Sequence, residues 1–283
     1  MKKSLLILSL LAIFLLTGCA PSATSNTISV ISREGGSGTR SAFIELFSIE
    51  VKGEDGTRTD HTTIEAIIAN QNGVMMANIA GNKSAIGYCS LGSLNETVKA
   101  VPIDGVTPSA ETVKAGSYAA ARPFYVATAG EAQGLAADFI AFILSAEGQA
   151  VVGQSYITVV ENAQAYAGER PAGKLVVGGS SSVTPVMEKL KEAYLVLNPD
   201  ATIEIQQSDS SSGLSAAVSG TVDVGMSSRE LKAAELESLT PVRIALDGIA
   251  IVVHNENPVT QLTSEQVRQI FTGEITAWGD VTQ

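Results

Sequence analysis

One short unit recurs along this chain: a β-branched strand, a loop of serines and glycines, and a run with apolar residues at helical spacing. The first copy has the alternating strand Thr27–Ile31 and the loop 32–39 (SREGGSGT). Its helical run, 41–47, carries Ala42, Phe43, Leu46 and Phe47 on one face. The second has the strand Leu175–Val177, the loop 178–182 (GGSSS) and a helix from Thr184 that buries Val186, Met187, Leu190, Tyr194 and Leu197. A weaker third copy runs from the strand Thr202–Ile205 through 207–213 (QSDSSSG) into Leu214–Val218. A fourth has the strand Val222–Val224, the loop 225–229 (GMSSR) and a charged helix over 230–237. Strands alternating with helices define an α/β protein.

Four hydroxyl-rich loops that each open a helix point to anion chemistry. A helix N-terminus leaves backbone N–H groups unpaired and carries partial positive charge. Glycine permits close backbone approach, serine and threonine add hydroxyl donors, and Arg33 adds a planar fork suited to an oxyanion. Each serine taken alone is equally a helix cap. Four such loops together, one with an arginine, are read as converging on a single small oxyanion. A net charge of −11 over 283 residues does not oppose this, because local dipoles and one arginine set the field in a closed cleft. It does exclude a nucleic-acid binder.

Other chemistries find little support. The two histidines, His61 and His254, are far apart in sequence, and there are only two cysteines. No metal site, cofactor or disulfide scaffold is therefore expected. No G-x-S-x-G, H-E-x-x-H, P-loop or G-x-G-x-x-G pattern is present, and the serines have no evident base. The chain is read as a binding protein rather than an enzyme. Cys89, in the apolar run 85–89 (AIGYC), is read as a core residue. The polar stretch 52–63, with His61, reads as a solvated surface loop, and 163–173 (AQAYAGERPAG) as a linker. The pattern Thr263-Ser264-Glu265-Gln266 opens a capped helix that buries Val267, Ile270 and Phe271.

The N-terminus is an address. Lys2 and Lys3 precede an apolar run over 4–17, which ends in 16–19 (LTGC). Residues 1–18 read as a signal peptide. The cysteine resembles the lipidated residue of bacterial lipoproteins, with an ordinary secretory signal as the alternative. On the lipoprotein reading Cys19 carries the acyl chains, residues 19–27 form the tether, and the protein sits on the extracytoplasmic face of a cell membrane.

The motifs 31–40 (ISREGGSGTR), 179–186 (GSSSVTPV), 224–230 (VGMSSRE), 245–250 (ALDGIA) and 270–276 (IFTGEIT) with Trp278 together resemble one family: the substrate-binding lipoproteins of the phosphate ABC transporter. The resemblance covers nearly the whole chain after the leader. It implies a type II periplasmic-binding-protein fold, two α/β lobes with the ligand in the cleft between them. It also implies inorganic phosphate as ligand, a membrane ABC permease as partner, and a monomer. In the family the 179–186 segment precedes the 31–40 segment, so this chain resembles a circular permutant whose ends lie together in one lobe. That lobe comprises 28–122 and 254–283; the other is 123–253, with crossovers near Pro123-Phe124 and Val252-Val253.

The ligand residues implied by the resemblance are Arg33, Ser37, Gly38, Thr39, Ser181, Ser182, Ser211, Ser212 and Ser228. Many family members carry aspartate where this chain has Ser228, and that carboxylate takes the proton of hydrogen phosphate. Asp209 is the candidate substitute acceptor, with a turn or N-cap role as its alternative. The remaining rivals are a receptor for another tetrahedral oxyanion, such as sulfate or molybdate, and a surface-sensing or adhesive lipoprotein.

Overall fold

The computed structural model describes residues 27–281; the signal peptide, Cys19 and most of the tether lie outside the described residues. The first part of the chain forms β1 (Ser29–Arg33), α1 (Gly38–Leu46), β2 (Glu50–Lys52), β3 (Arg58–Asp60), β4 (Ile67–Ala69), α2 (Asn72–Ala80), β5 (Ala85–Ser90), β6 (Lys99–Ala100) and α3 (Ala110–Lys114). Then come β7 (Ala121–Ala129), α4 (Gly134–Leu144), α5 (Ala146–Val152), β8 (Gly173–Ser180), α6 (Thr184–Leu197), β9 (Ala201–Ser208) and α7 (Ser210–Val218). The chain closes with β10 (Val224–Ser227), α8 (Ala233–Leu236), β11 (Leu239–Val253) and α9 (Ser264–Thr272).

The strands follow the order β4-β1-β5-β11-β7-β10-β8-β9, with parallel pairs at both ends and antiparallel pairs in the middle. The two largest of the buried clusters divide this path into lobes. One core gathers Phe43, Tyr88, Ile249, Ile251 and Phe271; the other gathers Phe124, Phe139, Val177, Leu190 and Tyr194. The fold is thus α/β and two-lobed.

The long strand β11 joins the lobes. Its residues 239–248 pair with β7, and 249–253 pair with β5. The chain therefore changes lobe at Gly248–Ile249, and next to it at Ala120–Ala121, where the Ile249 amide donates to the Ala120 carbonyl at 2.7 Å. Both points lie a few residues before the borders expected at Val252-Val253 and Pro123-Phe124. The expected border at Val252-Val253 falls within the apolar run 249–253, which is buried on both faces. Ile249, Ile251 and Val253 enter one cluster of the first lobe, while Ala250 and Val252 enter a second cluster on the opposite face.

Local sequence accounts for the elements that carry the loops. Helix α6 buries Val186, Met187, Leu190 and Tyr194, the four-residue spacing of one helical face. Helix α9 has the expected capping box: the Thr263 hydroxyl accepts from the Gln266 amide, and the Gln266 side chain accepts from the Thr263 amide. It buries Val267, Ile270 and Phe271. Helix α1 starts at Gly38, three residues before the run read from the sequence, with Ser37 as its cap. The helix buries Phe43 and Ile44, and Leu46 is 42% exposed.

The stretch read as a solvated loop holds the turn and the exposed strand β3 of the β2–β3 hairpin. The 163–173 linker is fastened to the second lobe by Asp138, which accepts from the Glu169 amide and from the Tyr194 and Tyr166 hydroxyls. Thr27 pairs with Ala277, so the first described residue lies beside the last turns of the chain. Cys89 is a fully buried core residue, and burial pushes its thiol up to about 12.

Candidate functional site

The candidate site is built where strands of both lobes deliver helices to one point. In the first lobe, Phe43 of α1 stacks on Tyr88 of β5 with ring centroids 3.8 Å apart. The Tyr88 hydroxyl bonds Ser32 Oγ at 2.9 Å and accepts from the Arg33 amide at 3.1 Å. An aromatic stack of this kind contributes roughly 0.5–1.5 kcal/mol beyond its buried area, and here it also fixes the end of β1. Arg33 follows directly, 1% exposed.

Its guanidinium is held on several sides. Nε donates to the Ala69 carbonyl (3.0 Å) and to Glu34 (2.9 Å), and Nη1 donates to Asn72 Oδ1 (3.0 Å). Nη2 reaches Glu34 at 2.8 Å and, across the lobe boundary, Ser181 Oγ at 3.1 Å.

The hydroxyls meet across the same boundary. Thr39 Oγ1 lies 2.8 Å from Ser182 Oγ, and Asn72 Nδ2 donates to that oxygen at 3.1 Å. Ser180 Oγ donates to Ser228 Oγ at 2.9 Å, and the Ser228 amide donates to Ser210 Oγ at 3.1 Å. Gly38 sits against this group so tightly that a Cβ there would fall 2.5 Å from Ser210 Oγ and 2.6 Å from Ser228 Oγ. A main-chain bond from the Ser211 amide to the Gly36 carbonyl, 3.2 Å, closes the contact between lobes.

The starts of four helices therefore converge: Gly38 and Thr39 on α1, Asn72 on α2, Ser181 and Ser182 just before α6, and Ser210 on α7. Their partial positive ends share one point with a buried arginine. This arrangement donates hydrogen bonds from many directions and suits a compact polyvalent anion.

Of the residues read from the sequence, Arg33, Gly38, Thr39, Ser181, Ser182 and Ser228 are brought together, with Ser37 buried behind them as the cap of α1. Three are engaged otherwise, although Asp209 lies against Gly36 of the first-lobe loop and the Ser211 amide bonds the Gly36 carbonyl. Asp209 is the cap of α7: its carboxylate accepts from the Ser212 amide (2.8 Å) and the Ser212 hydroxyl (2.7 Å). Ser212 is exposed, and Ser211 accepts from Arg229 Nη2 at 3.1 Å. The reason is the start of α7. It begins at Ser210, four residues before the helical run read from the sequence, so Ser210 rather than Ser211 faces the cluster.

The fourth loop also differs. Residues 227–229 are buried, but α8 begins only at Ala233 and has four residues, so this loop contributes Ser228 without a helix start.

Sequence reading missed Ser180, Ser210 and Asn72. Asn72 had a signal: the strand 67–69, the polar loop 70–72 (NQN) and α2 are a fifth copy of the unit, written with amides in place of hydroxyls.

Two α/β lobes joined by two crossing segments, with a closed polar site at their junction, define a solute-binding protein of the two-lobed type. Residues 21–147 and 164–283 match the PBP superfamily domain. A phosphate-binding protein PstS 2 of Streptococcus agalactiae serotype V is 46% identical over 288 residues, covering 100% of this chain and 98% of the relative. A crystal structure of a phosphate-binding protein of a phosphate ABC transporter from Streptococcus pneumoniae TIGR4 is 44% identical. It has a TM-score of 0.72 and covers 90% of this chain and 100% of that one. The PstS of Bacillus subtilis strain 168 aligns at 30% identity over 116 residues, 40% of this chain and 39% of the relative. The chain belongs to the PBP superfamily and, within it, to the PstS phosphate-binding proteins.

Proposed function

We propose that this chain is a receptor that closes its two lobes on inorganic phosphate and delivers it to a membrane ABC permease. The observation that carries the reading is the convergence of four helix starts and Arg33 at the lobe boundary. The names of the relatives support the choice of anion. A charge-assisted hydrogen bond contributes about 1.5–3 kcal/mol. A micromolar receptor needs about 8 kcal/mol net, so some half-dozen such bonds suffice after lobe closure is offset.

The ligand residues of this reading are Arg33, Ser37, Gly38, Thr39, Asn72, Ser180, Ser181, Ser182, Ser210 and Ser228, all acting as donors rather than nucleophiles. Asp209, engaged at the start of α7, is left out. The permuted order accounts for the two kinds of match: end to end with streptococcal relatives, and over a single block with the Bacillus protein. Lipid on Cys19 would hold the receptor on the extracytoplasmic face of the membrane, as a monomer.

The test is calorimetry of the full chain in detergent, stripped of anions and titrated with phosphate, then sulfate, then molybdate. Saturable 1:1 phosphate binding that excess sulfate does not displace is the expected result. Tighter binding of sulfate or molybdate would transfer the receptor to another oxyanion. Silence toward all three would leave a sensing or adhesive role.

A further inference from the structure

One ion pair, which sequence reading did not single out, lies between the crossing segments and the site. Arg122, on β7, and Asp247, on β11, are 2% and 1% exposed, with Nη2 of Arg122 3.3 Å from the Asp247 carboxylate. Each stands one residue inside the point where its strand changes lobe, next to Ala121 and Gly248. The pair also reaches outward in two directions. Asp247 accepts from the Gly92 amide of the first lobe at 3.1 Å, and Arg122 Nη1 donates to the Ser228 carbonyl at 3.3 Å.

A path of polar contacts therefore runs from the first lobe, through both crossing strands, to the backbone of a site serine in the second. Burial opposes both charges, pushing Arg122 down and Asp247 up from their ordinary values, so each ion depends on its partner. Among the described residues Arg122 Nε has no hydrogen-bond partner, so the contacts to Asp247 and Ser228, with the Phe124 ring centroid 5.4 Å from the guanidinium carbon, restrain the guanidinium.

We propose that Arg122 and Asp247 are positioning residues for the anion site: the pair transmits the relative setting of the lobes to the Ser228 loop, so that the loop is correctly placed only in the closed arrangement. Neither residue need touch the ligand. A twist at the crossing segments displaces the pair, and Ser228 Oγ moves with the carbonyl that Arg122 holds. This inference rests on the phosphate reading above.

A merely structural ion pair and a positioning pair differ in what an apolar replacement does. Replacing both partners of a buried pair with apolar side chains commonly preserves or raises stability. The test therefore compares the full chain with the double variant Arg122→Met/Asp247→Leu and with the single variant Arg122→Lys, which keeps the charge but loses the fork. Three quantities are read: thermal midpoint without phosphate, phosphate Kd by calorimetry, and phosphate-induced contraction by small-angle scattering.

The expected result for the double variant is a midpoint near that of the parent, a Kd at least tenfold weaker and a smaller contraction. If the double variant does not fold, Arg122→Lys decides, with a Kd at least fivefold weaker expected. Parental Kd and contraction in a folded double variant, or parental Kd in Arg122→Lys when that variant decides, would overturn the inference. A parent chain that fails to bind phosphate overturns the phosphate reading, and the inference with it; a parent that binds beside unaffected variants overturns the inference alone.

Discussion

Gly38→Ala separates the chemistry of the cleft from the stability of the lobe that carries it. Gly38 is the first residue of α1 and lies where the two lobes touch. An added Cβ would stand 2.5 Å from Ser210 Oγ, 2.6 Å from Ser228 Oγ and 3.0 Å from the Ser228 carbonyl carbon. Ordinary contacts of this kind need roughly 3.4 Å, so the two oxygens and the Ser228 main chain must retreat by several tenths of an ångström to about 1 Å. Overpacking of that order costs about 1–3 kcal/mol, which is roughly a 5- to 150-fold weaker Kd for an anion bound in the closed arrangement.

Within the first lobe the same methyl meets no such obstacle. Alanine favours helix over glycine by up to about 1 kcal/mol. The expected outcome is thus a thermal midpoint without phosphate equal to or above that of the parent, with calorimetric affinity for phosphate lost by one to two orders of magnitude. Parental affinity in a folded Gly38→Ala variant would refute the closed-site geometry.

Three further outcomes follow from the same contacts. Arg33→Ala should weaken phosphate binding at least tenfold by calorimetry, since it removes the cation at the site; unchanged affinity removes Arg33 from the ligand's shell. Asn72→Ala should weaken binding several-fold, because it frees both Ser182 Oγ and one side of the Arg33 guanidinium; an unaltered Kd would return Asn72 to a purely local role. For Asp138, burial pushes the carboxyl up, but bonds from Tyr166, Tyr194 and the Arg170 and Glu169 amides outweigh it and hold the group below its ordinary value. A depressed carboxyl stabilises the fold above its unfolded pKa of about 4 and loses that contribution as pH falls through the folded value. The gap in thermal midpoint between the parent and Asp138→Asn should therefore be widest near pH 7 and narrow progressively below about pH 4; a gap independent of pH contradicts the assignment.

How far the sequence discloses this site depends on which force decides each position. Arg33, Thr39, Ser181 and Ser182 are legible because a polar Ser/Gly loop between a β-branched strand and an apolar helical face has few alternatives. Ser210 escapes by one position. Serine is a weak helix former, so the run 210–212 reads as loop, whereas the Asp209 cap carries the helix through it. Asn72 escapes because side-chain amides supply donors in place of the expected hydroxyls.

The charged run 230–237 suggests a helix at the fourth loop, yet only Ala233–Leu236 is helical. Arg229 instead draws Glu235 into an ion pair at 2.7 Å, a tertiary contact that local propensity does not contain. The lobe border at Gly248 is hidden for a similar reason. The run 249–253 is apolar and buried on both faces, so its periodicity does not show where its partners change.

The central claim is that one anion sits where the starts of α1, α2, α6 and α7 meet Arg33. A crystal structure of the full chain grown with phosphate tests it most directly. The account predicts a single tetrahedral anion at the lobe boundary, within hydrogen-bond distance of the Arg33 guanidinium, the Thr39 and Ser182 hydroxyls and the Gly38 amide. A phosphate bound away from these groups, or a closed cleft that remains empty at saturating phosphate, would contradict it.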